Sequence, residues 1–335
     1  MKAVFLLKLA VLALLVALAQ AAAVFVLGRA RPPAAALSIE ARLDADAHIV
    51  FFGDSTVSWA SAEDQDPRFI SHLLSEKLPH YSMALLHHPG YQPNLYRTCC
   101  GYIERNGLQP RILIVPINLY AFAPCWDLSP DTQFEEITFY LEHPSLVARA
   151  WYKPLAVFRG LSRYRLSQEE FDLLPVYWGA ERIGRMRDFS AYPTARAPEE
   201  LRMAWTRNRF ILNAMYTLHP RHRQVRALRA IARCARRIGA QVLFYVTPLN
   251  YESGQRLLGE AFAQKLAGQV AVLEQALAAE GHELLDLSRT LGSDHFGWTL
   301  TPNGHLRQSG RQCVAQALYR ALIEACGVGS FLDGL

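Results

Sequence analysis

Short apolar runs alternate along this chain with longer stretches in which apolar residues recur at helical spacing. Ile49-Val50-Phe51-Phe52, Ile112-Leu113-Ile114-Val115-Pro116-Ile117 and Gln241-Val242-Leu243-Phe244-Tyr245-Val246 read as strands buried on both faces. Glu283-Leu284-Leu285-Asp286-Leu287 reads as a fourth strand. Between and after them, Leu266–Ala279 and Cys313–Leu322 carry helical patterns. A further helix near His222–Ile238 aligns Val225, Leu228, Ala232, Ala235 and Ile238 on one stripe, with Arg226, Arg229, Arg233, Arg236 and Arg237 on the adjoining solvent face. Strands alternating with helices predict an α/β protein, a three-layer α/β/α sandwich with a mainly parallel sheet.

The pattern also divides the chain. Leu9 through Leu27 is apolar apart from Gln20, preceded by Lys2 and Lys8, and is about the length that crosses a bilayer core as a helix. This is a signal anchor or a cleaved signal peptide. Ala19-Gln20-Ala21 offers a small-residue cleavage site, but the hydrophobic run continues through Val24-Phe25-Val26-Leu27, beyond an ordinary signal core, which favours a retained transmembrane helix. Arg29 and Arg31 oppose the orientation bias of Lys2 and Lys8, yet the short tail before an export-type segment places the bulk of the chain outside the cytoplasm. The expected organisation is an anchor over residues 1–30, a stiff linker over 31–46 that includes Arg31-Pro32-Pro33, and an α/β domain over 47–330. About 120 residues separate Asn118 from Gln241, several times what one crossover needs, so a helical insertion is expected at about 120–220. It includes helical patterns at Phe134–Leu141 and Ser145–Val157 and an aromatic stretch with Tyr177 and Trp178, either a lid, an acceptor-binding surface or peripheral packing.

Candidate chemistry gathers at the predicted strand ends. Gly53-Asp54-Ser55 directly follows the first strand and lifts a hydroxyl to the carboxyl edge of the sheet, where open α/β folds bind ligands. Alone, the tripeptide is a turn whose Asp54 or Ser55 caps the next helix. Three further segments supply what a serine nucleophile needs. His87-His88-Pro89-Gly90-Tyr91 is a glycine loop whose backbone N–H can approach a ligand, and the second strand delivers Asn118. Thr301-Pro302-Asn303-Gly304-His305 leads into the last helix and offers a base. Ser55 as nucleophile, His305 as base, and Gly90 N–H with the Asn118 amide as oxyanion donors fill the roles of acyl transfer. Asn250 and Tyr251, after the third strand, are pocket-lining residues or a turn cap and a packing ring.

This order of Gly53-Asp54-Ser55, Gly90, Asn118 and His305 resembles the SGNH/GDSL hydrolase superfamily over roughly residues 47–325. The resemblance implies a flavodoxin-like sandwich, Ser55 as nucleophile with its own N–H in the oxyanion hole, Gly90 and Asn118 as the other donors, and His305 as general base. It implies an acyl-ester substrate on cell-envelope polysaccharide, hydrolysed or transferred to a sugar hydroxyl. One part departs from the pattern. The family usually places an aspartate three residues before the histidine, sometimes two; those positions hold Pro302 and Asn303. Asp294, Asp286 or Asn303 stands in for the acid, a Ser-His dyad operates, or the chain is a catalytically inactive envelope assembly or glycan-binding protein.

Composition narrows the remaining classes. With 51% hydrophobic and 11% aromatic residues, the chain can build one large core. A net charge of +5 and the arginines between Arg202 and Arg237 suit a solvated face or contact with anionic lipid or an acidic polymer; no nucleic-acid-reading motif is present. The cysteines at 99, 100, 125, 234, 313 and 326 lack metal-ligand spacing, no His-Glu-x-x-His set occurs, and neither metal nor other cofactor is expected. Cys234 and Cys313 fall on apolar helical positions and read as small core residues.

Overall fold

Five parallel strands form the central sheet of the computed structural model, which describes residues 2–27, 33–143, 166–189, 197–297, 302 and 304–326. They are β1 (Ile49–Gly53), β2 (Met83–His87), β3 (Ile112–Ile117), β6 (Gln241–Val246) and β7 (Leu284–Asp286), in the order β2-β1-β3-β6-β7. A separate antiparallel pair joins β4 (Pro175–Trp178) to β5 (Glu181–Arg185). The helices are α1 (Lys2–Leu27), α2 (Ala34–Leu43), α3 (Ser55–Ser58), α4 (Ile70–Lys77), α5 (Pro93–Arg105), α6 (Pro124–Asp127), α7 (Glu135–Glu142), α8 (Gln168–Leu173), α9 (Glu199–Ala214), α10 (Arg223–Ile238), α11 (Tyr251–Leu258), α12 (Glu260–Ala278) and α13 (Gln308–Cys326).

The apolar runs become strands because helices cover both faces of the sheet, leaving no face for polar residues. Ile49 and Phe51 point into a core with Leu74 of α4 and Leu318 and Leu322 of α13, while Phe52, on the opposite face, stacks on Tyr96 of α5 at 5.0 Å. All five residues of β1 and all six of β3 are buried. Strand β2 carries no clear sequence signal because it is an edge: Met83, Leu85 and His87 are half-buried, and only Ala84 and Leu86 are buried.

Two compact units divide the chain: Met1–Glu40 with Glu135–Arg165, and Ala41–Phe134 with Leu166–Leu335. Among the described residues no helix is long and apolar enough to cross a membrane. Helix α1 runs over Lys2–Leu27, and its continuously described side chains, residues 4–19, rise about 24 Å at 1.5 Å per residue against a hydrocarbon core of about 30 Å. The transmembrane anchor therefore stays an expectation of the sequence.

Several local expectations change in the folded chain. The segment between β3 and β6 is not only helical: Tyr177 and Trp178 lie on the β4–β5 hairpin. Of its predicted helices, the first is α7, and Ser145–Val157 lies outside the described residues. The arginine face of α10 is tied to acids rather than simply solvated. Arg229 and Arg233 both meet Glu280 at 2.8 Å, Arg236 meets it at 3.6 Å, and Arg237 meets Glu104 at 2.5 Å. Cys234 is buried as expected, but Cys313 is exposed, because the buried stripe of α13 runs through Val314, Ala315 and Leu318 instead.

Candidate active site

The sheet order places a crevice between β1 and β3, since the chain moves outward from β1 to β2 and then returns to the other side of β1 for β3. Ligands in open α/β sheets bind at such a reversal, beyond the carboxyl ends of the strands. Ser55 follows β1 and Asn118 follows β3, so the two stand on opposite lips of that crevice.

Gly53 is required by the turn that presents Ser55. A Cβ there would sit 2.9 Å from Cβ of Val57 and 3.1 Å from Cβ of His87, so only glycine lets the chain fold back this tightly. Asp54 then caps α3, its Oδ1 accepting from Thr56 N at 2.8 Å and from Thr56 Oγ1 at 2.6 Å. Its other oxygen, Oδ2, accepts from Asn118 Nδ2 at 2.7 Å. One buried carboxylate thus ties both lips of the crevice together, and fixes the Asn118 amide from its nitrogen end. From its oxygen end the amide is held by Tyr120 N, which donates to Oδ1 at 3.0 Å. Both readings of these residues hold at once, since Asp54 and Asn118 are helix caps and also bracket Ser55.

The donors left over matter for chemistry. Asn118 Nδ2 carries two hydrogens and Asp54 takes one. Among the described residues, neither the second Nδ2–H nor the backbone N–H of Ser55 or Gly90 has an acceptor. Gly90 lies in the turn after β2, at φ +83, and His88 N donates to Gly53 O at 3.3 Å, which attaches that turn to the end of β1.

His305 comes to the same edge by its neighbours. Gly304 packs so closely that a Cβ would lie 3.1 Å from Thr56 Cγ2 and 3.2 Å from Pro248 O. The His305 ring stacks on Trp59, with centroids 5.0 Å apart and planes 11° from parallel. Behind it, Gly297 N donates to His305 O at 2.8 Å and Arg307 N to His295 O at 2.8 Å, an antiparallel bridge centred on buried Phe296 and Leu306. Burial pushes the His305 imidazole below its ordinary pKa, and the Asp54 carboxylate partly offsets this. Ser55 Oγ makes no hydrogen bond with any described residue, as is common for catalytic pairs before substrate arrives.

Of the acids considered for His305, Asp294 is exposed and makes no bond to the imidazole, and Asp286 is engaged by Ser288 N at 2.9 Å. Pro302 is buried; Asn303 lies outside the described residues. Asn250 caps α11 and accepts from Ser253 N at 3.3 Å, while Arg289 lies over the Tyr251 ring at 5.1 Å, so the plainer readings describe these two. Sequence reasoning missed Trp59 and the bridging role of Asp54. Trp59 follows the Gly-Asp-Ser turn closely enough to have been a candidate, but nothing in its spacing pairs it with a residue so far along the chain.

Compared with known proteins, the chain matches no family model and no curated sequence. Among the described residues no group of three or more His, Cys, Asp and Glu side chains could hold a metal ion.

Proposed function

We propose that this protein is a serine-dependent ester enzyme of SGNH type, with a flavodoxin-like three-layer sandwich held outside the cytoplasm by an N-terminal transmembrane helix. The observation that carries the reading is the Asp54 carboxylate, which fixes the Asn118 amide across the crevice from Ser55 while leaving one amide N–H uncommitted. Ser55 Oγ attacks the acyl carbonyl as His305 takes its proton. The carbonyl oxygen gains negative charge and is met by Ser55 N–H, Gly90 N–H and Asn118 Nδ2–H. Collapse expels the alcohol, which receives the proton from His305, and leaves an acyl-Ser55 ester. Water or a sugar hydroxyl then attacks that ester, with His305 again accepting the proton. The substrate is an acyl ester of an envelope polysaccharide, and no cofactor takes part.

A second reading, a non-catalytic envelope assembly or glycan-binding protein, is favoured by one observation: neither Asp294 nor Asp286 reaches His305. A fluorophosphonate probe separates the two, because it labels only an activated serine. Labelling of Ser55 is expected; an unlabelled, folded protein selects the second reading.

Two substitutions test the site residue by residue. Asn118→Ala is expected to lower kcat by roughly 10²- to 10³-fold, the range for one oxyanion donor; an effect confined to KM would make Asn118 a substrate-binding residue. Asp294→Asn is expected to change kcat by less than about threefold, since the group is exposed and unattached to His305. A loss of about 10³ or more in a folded variant would instead establish a rearranged triad.

The anchor has its own test. The protein is expected to fractionate with membranes, to resist salt and carbonate extraction, and to retain Leu9–Leu27. Mass spectrometry that finds a mature N-terminus at Ala22 overturns it.

A further inference from the structure

The β4–β5 hairpin and α12 flank a groove of about 680 Å³ that the ester chemistry does not use. Its volume falls within the usual range for small-molecule sites, about 300–1,000 Å³. The hairpin is held in place by its own small core, in which Val176 packs with Met186, Phe189 and Leu212. That support presents Tyr177 and Trp178 at the groove as a fixed aromatic edge, and Tyr177 is 55% exposed. Opposite them lie Thr217, Gln264, Lys265 and Gln269.

Gln269 shows what kind of ligand the groove lacks. It is buried, and its Nε2 donates to Ala214 O at 2.7 Å and to Tyr216 O at 2.9 Å. Reversing the amide would set its oxygen against those two carbonyl oxygens, so the assignment is fixed by its partners. Oε1 then faces away from them, buried and without a hydrogen-bond partner. A buried acceptor left in that state costs about 1–3 kcal/mol, which a hydroxyl donor from a ligand would recover. Lys265 is the only charged side chain lining the groove, and its Nζ already donates to Thr217 Oγ1 at 3.0 Å.

Aromatic faces, amides, a hydroxyl and little charge match one ligand chemistry, a sugar ring, whose C–H face stacks on an aromatic ring while its hydroxyls meet the amides. We infer that this groove binds a segment of an uncharged oligosaccharide, with rings against Tyr177 and Trp178 and a hydroxyl donated to Gln269 Oε1. Tyr216 links the groove to the crevice: its backbone oxygen accepts from Gln269, and its Oη donates to Leu119 O at 2.6 Å, next to Asn118. That the bound sugar chain also bears the acyl ester rests on the ester reading; binding in the groove does not.

The test is titration of the full-length protein with cellohexaose, chitohexaose and xylohexaose, followed by tryptophan fluorescence and calorimetry. Saturable binding of at least one, with Kd of about 1 mM or tighter, is expected. Tyr177→Ala and Trp178→Ala should each weaken it about tenfold, the loss of one stacked ring. Tyr177→Ala is the safer variant, since an exposed ring carries little of the fold. Ser55→Ala should bind as the wild type does. No saturable binding to any of the three sugars, or unchanged affinity in both aromatic variants, overturns the inference. Binding that survives in a wild-type protein without esterase activity upholds the groove and removes the ester reading. Turnover of a small aryl acetate without sugar binding does the reverse.

Discussion

Ser55→Ala is expected to reduce turnover of an aryl acetate by about 10⁴- to 10⁶-fold while the protein melts within a few degrees of the wild type. The two halves of this result come from different atoms. The hydroxyl is the only group that can carry the acyl intermediate, so its loss leaves only the oxyanion donors and substrate binding. The fold is spared because Ser55 is half-buried, its Oγ has no hydrogen bond among the described residues, and α3 is capped by Asp54 rather than by Ser55. Unchanged turnover in a folded variant removes Ser55 as nucleophile. The same assay reads the base. His305 must be neutral to accept the proton, and burial holds its pKa below the ordinary value of about 6.5. The rising limb of kcat/KM should therefore lie below that value, with activity lost as pH falls through it and maintained above it. Trp59→Ala uncovers one face of the ring and should move the limb upward, toward the unperturbed imidazole.

How much of this site the sequence discloses depends on distance along the chain. Ser55 and Asn118 are legible because each directly follows an unbroken apolar run, and a buried parallel strand can deliver its last residue only to the carboxyl edge. The Asp54–Asn118 bond is not legible, since its partners lie 64 residues apart and meet only because β1 and β3 are neighbours. The stack of Trp59 on His305 is hidden for the same reason. Edge strand β2 lacks an apolar run because half its residues meet partial solvent. Helix α13 is visible from its apolar stripe, yet that stripe misplaces Cys313 and gives no warning of an arginine more deeply buried than most of its leucines.

That arginine carries the second large effect. Arg311 is 1% exposed, and its guanidinium reaches four separate acceptors. Nε donates to Arg68 O at 2.8 Å, Nη1 to Asp64 Oδ2 at 2.7 Å and to Leu306 O at 2.9 Å, and Nη2 to Asp66 O. The loop over residues 61–69 is thereby closed onto the start of α13, and the oxygen of Leu306 is fixed immediately beside His305. Asp64 is committed from its other side as well, accepting from Ser61 N at 2.9 Å and Gln308 N at 3.2 Å. Burial works against its ionisation, but these hydrogen bonds, Arg311 foremost, hold its carboxyl below the ordinary value. Arg311→Met keeps much of the volume and removes every donor, leaving a carboxylate and three carbonyls to find others. Breaking a buried pair from one side costs about 3–5 kcal/mol. For a domain of this size that corresponds to a fall in Tm of about 6–20 °C. The double variant Arg311→Met with Asp64→Asn should regain part of the loss, because the stranded charge goes with the carboxylate. A cost below about 1 kcal/mol for Arg311→Met would place the pair among surface ion pairs and show that the loop holds without it.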